Sequence, residues 1–153
     1  MNKTARITVS FLICCMLLAM AGCSKISRIK ESISGDEFTE KAGDYGLEVE
    51  KKEASSVTTY IAKGNDIYVE FYVFANNSYI STSYDYITSN IEDVFSDSSA
   101  KAEENDGEYP RFSMKDSTLN ATASVIGNTM VYIYSTSASE IDNVDEFMEK
   151  IGY

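Results

Sequence analysis

The chain contains no histidine and no tryptophan, a single proline and three cysteines. Without histidine there is no Ser-His-Asp or Cys-His nucleophile system, no zinc site with imidazole ligands and no haem held by histidine. Cys14 and Cys15 lie in an apolar stretch near the N-terminus, and Cys23 is the last cysteine. No disulfide can therefore form within the body of the chain, and packing must supply its stability. No glycine-rich loop follows a strand with phosphate-binding spacing. Basic residues are scarce, with 13 Lys and Arg against 24 Asp and Glu and a net charge of −11. That balance argues against nucleic acid, whose binding needs a basic patch, and against the body lying flat on anionic lipid. Acidity of this kind keeps a domain soluble.

What is present begins with an address. Lys3 and Arg6 precede an apolar run over residues 7–20, and small residues follow. This is the pattern of a secretory signal peptide. The run between Arg6 and Cys23 is shorter than the roughly 20 apolar residues of a bilayer-spanning helix, so residues 1–22 read as a signal. Met20-Ala21-Gly22-Cys23 matches a bacterial lipobox, with Met20 where leucine is usual. Ala19-Met20-Ala21 also fits the small-x-small site used for release of a free secreted protein. Cysteine arithmetic favours the lipobox: Cys14 and Cys15 leave with the signal, and Cys23 would otherwise be a lone thiol in an exported protein. The expectation is a lipid anchor of palmitate type on Cys23, holding the protein to the cell membrane on its extracytoplasmic side. Release, or an uncleaved anchor, is the competing reading. Residues 23–35 then form a short tether. Lys25, Arg28 and Lys30 lie along it, and Ile26, Ile29 and Ile33 share one helical face. An amphipathic segment at the membrane and a plain tether both fit.

Residues 36–153 are expected to form one domain, long enough for a single hydrophobic core. Ser34-Gly35-Asp36-Glu37 reads as an N-cap with a capping-box glutamate. Phe38, Ala42 and Tyr45 then recur at helical spacing, and Gly43 and Gly46 limit the helix to about three turns. Leu47 and Val49 alternate with acids and suggest a short strand. Residues 57–62 and 67–74 read as two strands joined by a tight Lys63-Gly64-Asn65-Asp66 turn. In the second of these, Ile67, Val69, Phe71 and Val73 share one face and Tyr68, Glu70, Tyr72 and Phe74 the other, which predicts a central strand.

Between Ser78 and Phe95 the period lengthens, and Ile80, Tyr84, Ile87, Ile91, Val94 and Phe95 trace an amphipathic helix. Residues 97–108 carry Asp97, Glu103, Glu104, Asp106 and Glu108 with almost no apolar residue, and read as a mobile loop. Phe112 and Met114 open another strand series. Residues 119–126, the turn Gly127-Asn128 and residues 129–134 form a second hairpin. A last helix aligns Ile141, Val144, Met148 and Ile151, flanked by Phe147.

The halves echo one another as strand, Gly-Asn turn, aromatic strand and helix. Asp36-Glu37-Phe38 and Asp145-Glu146-Phe147 also open matching segments that run through Glu-Lys to a glycine. Tandem duplication would leave this pattern, and shared turn and capping chemistry would give part of it. The expected fold is α+β, an antiparallel sheet with helices packed on one face. With the lipobox, the Gly46-Leu47 helix end, the aromatic strand after Gly64-Asn65, and the runs Gly127-Asn128-Thr129-Met130-Val131-Tyr132 and Ile151-Gly152-Tyr153, the chain resembles uncharacterised small lipoproteins of Clostridia-type Firmicutes. That resemblance implies lipid on Cys23 and assigns no other residue a role.

Carboxylates are the acids, bases or metal ligands on offer. A glycosidase needs two of them facing across a cleft, and the sequence singles out no pair. The acid-rich 103–108 stretch places Ala102 and Ser113 at the first and twelfth positions if Gly107 is sixth, so it is not an EF-hand. No catalytic residue, metal ligand or cofactor site is expected.

The eleven tyrosines are the unusual feature. Tyr68, Tyr72, Tyr132 and Tyr134 are candidates for a ligand-contacting sheet face, since tyrosine offers an apolar ring and a polar tip; ordinary strand packing is the alternative. The leading expectation is a membrane-tethered, non-catalytic module that binds an envelope protein, peptide or other component. The alternative is a small carboxylate-based or calcium-dependent envelope enzyme.

Overall fold

The computed structural model describes residues 30–95, 100–105 and 107–153. Cys23, Ile26 and Ile29 lie outside the described residues, as do residues 96–99 and 106.

Helix α1 (Gly35–Asp44) starts where its cap predicts. Ser34 Oγ accepts the Glu37 amide at 3.1 Å, Asp36 and Glu37 sit at the positive end of the helix, and Lys41 sits near the negative end. Gly46, at φ +86°, turns the chain into β1 (Glu48–Glu53). Strands β2 (Val57–Gly64) and β3 (Ile67–Phe74) follow, joined by Asn65 and Asp66, both left-handed as a type I′ turn requires. A 3₁₀ turn at Asn77–Tyr79 leads into α2 (Ile80–Val94). Then come β4 (Lys101–Asn105), β5 (Arg111–Lys115), β6 (Asn120–Ile126), β7 (Thr129–Ser135) and α3 (Asn143–Ile151).

The strands form one sheet in the order β1-β2-β3-β7-β6-β5-β4, and every neighbouring pair is antiparallel. The α+β class and the antiparallel sheet are as expected, and β3 is central, flanked by β2 and β7.

The helices, expected on one face, divide between two. Alternation along β3 and β7 sends Val69, Phe71, Val131 and Ile133 to a core shared with Phe38 of α1 and Val144, Phe147 and Met148 of α3. On the other side, Tyr72 and Phe74 of β3 and Met130, Tyr132 and Tyr134 of β7, with Ala123 and Phe112, pack in the cluster that holds Ile80, Ile87 and Ile91 of α2. Helix α2 therefore covers the opposite face, over β5, β6 and β7. The cause lies in the sequence of β6 and β7: small Ala121 and Ala123 beside Met130 leave room there for a helix.

The echo between the halves is realised only in part. The two hairpins correspond, but Gly64 is the last residue of β2 whereas Gly127 is the first turn residue after β6. The helices that come after the hairpins, α2 and α3, lie on opposite faces. It is α1 and α3, bearing the matching Asp-Glu-Phe segments, that sit side by side, with Phe38 and Phe147 edge to face at 6.2 Å.

Three further expectations are corrected. Within the acidic 97–108 stretch, Lys101–Asn105 is the edge strand β4, paired with β5, and not a loop. Its two consecutive glutamates give no apolar side to read, because β4 lies at the sheet's margin. The end of the 23–35 tether belongs to the domain: the Lys30 amide donates to Tyr109 Oη at 3.1 Å, and Ile33 packs on the α1–α3 core. Val94, assigned to the apolar stripe of α2, is 66% exposed, because Ile87, Ile91 and Phe95, four residues apart, form the inward stripe and Val94 lies off it. No helix of the described residues is long and apolar enough to cross a membrane.

Candidate functional site

Helix α2 leaves the β1–β3 half of its face without a covering helix. Three rungs cross the boundary of that half: Lys63, Tyr68 and Tyr134; Ile61, Glu70 and Tyr132; Thr59, Tyr72 and Met130. Strand alternation puts Tyr68, Glu70 and Tyr72 on this face, and the β3–β7 register brings Tyr132 and Tyr134 beside them. All four tyrosines singled out in the sequence thus lie together. Tyr68 and Tyr134 have ring centroids 5.1 Å apart, and Tyr132 and Tyr134 5.7 Å.

Glu70 sits at the centre of the cluster, directly opposite Tyr132 in the register. Tyr68 Oη donates to its Oε1 at 2.6 Å, and Tyr72 Oη donates to its Oε2. Burial, reinforced by these bonds to Glu70, pushes both phenols well above the ordinary tyrosine range. Tyr132 is pushed up to about 12, by burial first and then by Tyr134 and Glu70. The three phenols therefore stay protonated at neutral pH, and two of them hold the carboxylate in a fixed orientation. Lys63 Nζ lies 5.2 Å from the centre of the Tyr68 ring, a cation–π contact at the rim.

Between this cluster and α2 runs a cleft of about 470 Å³. The sheet contributes Glu70, Tyr72, Met130 and Tyr132, and α2 contributes Tyr86, Ile87 and Asn90 together with the hydroxyls of Thr82 and Ser83. Tyr68 and Tyr134 flank the cleft without lining it. The size lies within the roughly 300–1,000 Å³ of small-ligand sites. The arrangement supplies one oriented carboxylate, three aromatic rings and a few hydroxyl and amide groups on an apolar wall.

Glu70, Tyr86 and Asn90 are not singled out by the sequence. Alternation along β3 does place Glu70 between two candidate tyrosines, and that is the available signal. Tyr86 is 69% exposed and lies off the apolar stripe of α2, so periodicity gives no hint of it.

The acid-rich stretch makes a smaller hollow of about 180 Å³, lined by Glu103, Glu104 and Asn105 with Arg111 and Ser113. Register sends Glu103 and Glu104 to opposite faces of β4, opposite Ser113 and Phe112. Among the described residues, no group of three or more His, Cys, Asp or Glu is placed to hold a metal ion. Comparison with protein-family models, with curated proteins and with solved structures finds no match for this chain.

Proposed function

We propose that this protein is a membrane-anchored extracytoplasmic lipoprotein whose domain binds an envelope component on its tyrosine face and performs no catalysis. One observation carries the binding role: four tyrosines gather around Glu70 on a sheet face that α2 covers only in part, beside a cleft of ligand size. Rings packed only for stability have no need of a bound carboxylate in their midst, since a half-buried charge costs free energy unless it is satisfied. Tyrosine is also the residue that gives a contact surface large area with little loss of side-chain freedom.

The anchor rests on the signal-like first 22 residues and the lipobox ending at Cys23. Lipid there would keep the domain close to the membrane, because ordered packing already begins at Lys30.

Each half of the proposal has its own test. Mass spectrometry of the mature N-terminus is expected to show a diacylglyceryl-modified Cys23, and Cys23→Ala to release or mislocalise the protein; an unmodified Gly22 N-terminus would show release instead. For binding, the paired change Tyr68→Ala and Tyr72→Ala is expected to abolish capture of a partner from envelope extract while circular dichroism and melting remain near native. Retained capture by a folded double variant sinks the tyrosine-face role.

A further inference from the structure

A carboxylate and three aromatic rings line the cleft, and no cationic residue among those described does; Lys63 stands outside it, over the Tyr68 ring. These groups specify the chemistry of a ligand, a reading that rests on the binding role proposed above. Glu70 makes no ion pair among the described residues. The phenols of Tyr68 and Tyr72 orient its oxygens but carry no charge that would neutralise it. A half-buried carboxylate of this kind attracts a cation more strongly than one in open water, because the local dielectric is lower.

Tyr72, Tyr86 and Tyr132 line the same cleft as Glu70, two from the sheet and one from α2. Aromatic rings present a negative face, and several rings around one cavity are the usual receptor for an ammonium group. Ile87 and Met130 complete the wall with apolar surface.

The geometry points to a site for an alkylated ammonium group, with Glu70 as its counter-charge and Tyr72, Tyr86 and Tyr132 as the surrounding rings. Three alternatives fit less well. An anion meets the Glu70 charge in a chain of net charge −11. A neutral apolar ligand would strip water from Glu70 and leave its charge without a partner. A bare ammonium is strongly hydrated and brings three N–H groups that each need an acceptor, and the Ile87 and Met130 part of the wall supplies none. A methylated cation makes no such demand and gains from contact with Ile87 and Met130.

The test uses the full-length chain in a maltoside detergent, which carries no ammonium group. Choline and its neutral carbon isostere, 3,3-dimethyl-1-butanol, are titrated by calorimetry. Choline is expected to bind at least about tenfold more tightly than the isostere. Glu70→Gln should lower choline affinity about tenfold and leave the isostere unaffected, and Tyr86→Ala, on the exposed rim, should lower it about two- to fivefold. Dihexanoylphosphatidylcholine below its micellar concentration separates the two sources of this chemistry. Tighter binding than choline assigns the site to a displayed headgroup, and equal binding assigns it to a free solute.

Equal affinity for choline and the isostere, or choline binding untouched by Glu70→Gln in a folded protein, overturns the ammonium site. The broader reading fails differently, through partner capture by the Tyr68 and Tyr72 double variant. If choline does not bind and that variant still loses its partner, only the ammonium chemistry is wrong.

Discussion

The sealed face of the sheet and the open part of its other face, beside α2, use the aromatic residues of the central strands in opposite ways. On the face covered by α1 and α3, Phe38, Phe71 and Phe147 are fully buried, and Phe38 stacks on Phe71 at 4.6 Å. On the face only partly covered by α2, the same central strands present Tyr68, Tyr72, Tyr132 and Tyr134, all partly exposed. A ring that will be sealed needs no polar tip, whereas a ring left at the surface needs one to remain soluble and gains a means of recognition. Strand β3 shows the contrast within a few residues, with Phe71 at 0% exposure between the half-exposed Glu70 and Tyr72. One face is sealed by two helices, and the other carries a second core under α2 and leaves its tyrosines partly exposed.

The contrast is sharpest in the cost of removing a ring. Phe38→Ala is expected to destabilise the domain by about 3–5 kcal/mol, because it empties a site closed by Tyr60, Phe71 and Phe147. Tyr134→Ala, whose ring has solvent on one side, should cost less than half as much. Urea unfolding with unchanged m-values measures both. Equal losses would mean that the tyrosine face is as structural as the phenylalanine face.

A smaller loss is expected where α1 meets the sheet. A Cβ on Gly35 would lie 2.1 Å from the Tyr60 ring, itself only 8% exposed. Tyr60 must shift to relieve this, so Gly35→Ala should cost about 1–3 kcal/mol, visible as a lower urea midpoint. Restoring space with Tyr60→Phe should recover part of the loss, since the phenol oxygen is among the nearest atoms.

Much of this architecture can be read from residue order because local chemistry and tertiary packing agree in it. The Ser34 cap, the two hairpins, and the stripe of Val144, Met148 and Ile151 are strong local signals that the fold keeps. The side of the sheet taken by each helix is not legible. Helix periodicity shows that a face is apolar, and says nothing of which sheet surface will receive it. Strand β4 escapes a reading by pattern for a related reason: an edge strand exposes charge on both sides, so its pairing with β5 leaves no alternation. The sheet tyrosines of the candidate site are legible from strand composition, whereas Tyr86 of α2 is not. Glu70 acquires its place only when the β3–β7 register sets Tyr132 opposite it.

Raising the pH should weaken the two faces unequally. Burial raises the phenols of Tyr68 and Tyr72, and takes Tyr132 and Tyr153 up to about 12. A folded-state value above the unfolded one near 10 favours the neutral phenol in the folded state. That stability is fully present below about pH 10 and is lost as pH rises towards 12. Three of these four groups lie on the open face, so Tyr132→Phe should flatten the alkaline fall in urea midpoint by a measurable part. A profile unchanged by Tyr132→Phe would place the sensitive phenols elsewhere.

The smallest effect tests the covered face at its one discordant position. Thr122 is 0% exposed in the middle of β6, yet its Oγ1 finds no hydrogen-bond partner among the described residues. Its neighbours on that side of the strand are polar but satisfied: Asn120 donates to the Ile141 carbonyl, and Ser124 donates to the Pro110 carbonyl. An unsatisfied buried hydroxyl typically costs about 1–3 kcal/mol, while valine has nearly the same shape and suits a strand. Thr122→Val should therefore leave stability unchanged or raise it by up to about 1 kcal/mol, whereas Ser124→Val should lower it by breaking a bond that exists. A clear loss in Thr122→Val would mean that the hydroxyl has a partner after all, and that the covered face keeps a polar column through its core for a reason beyond packing.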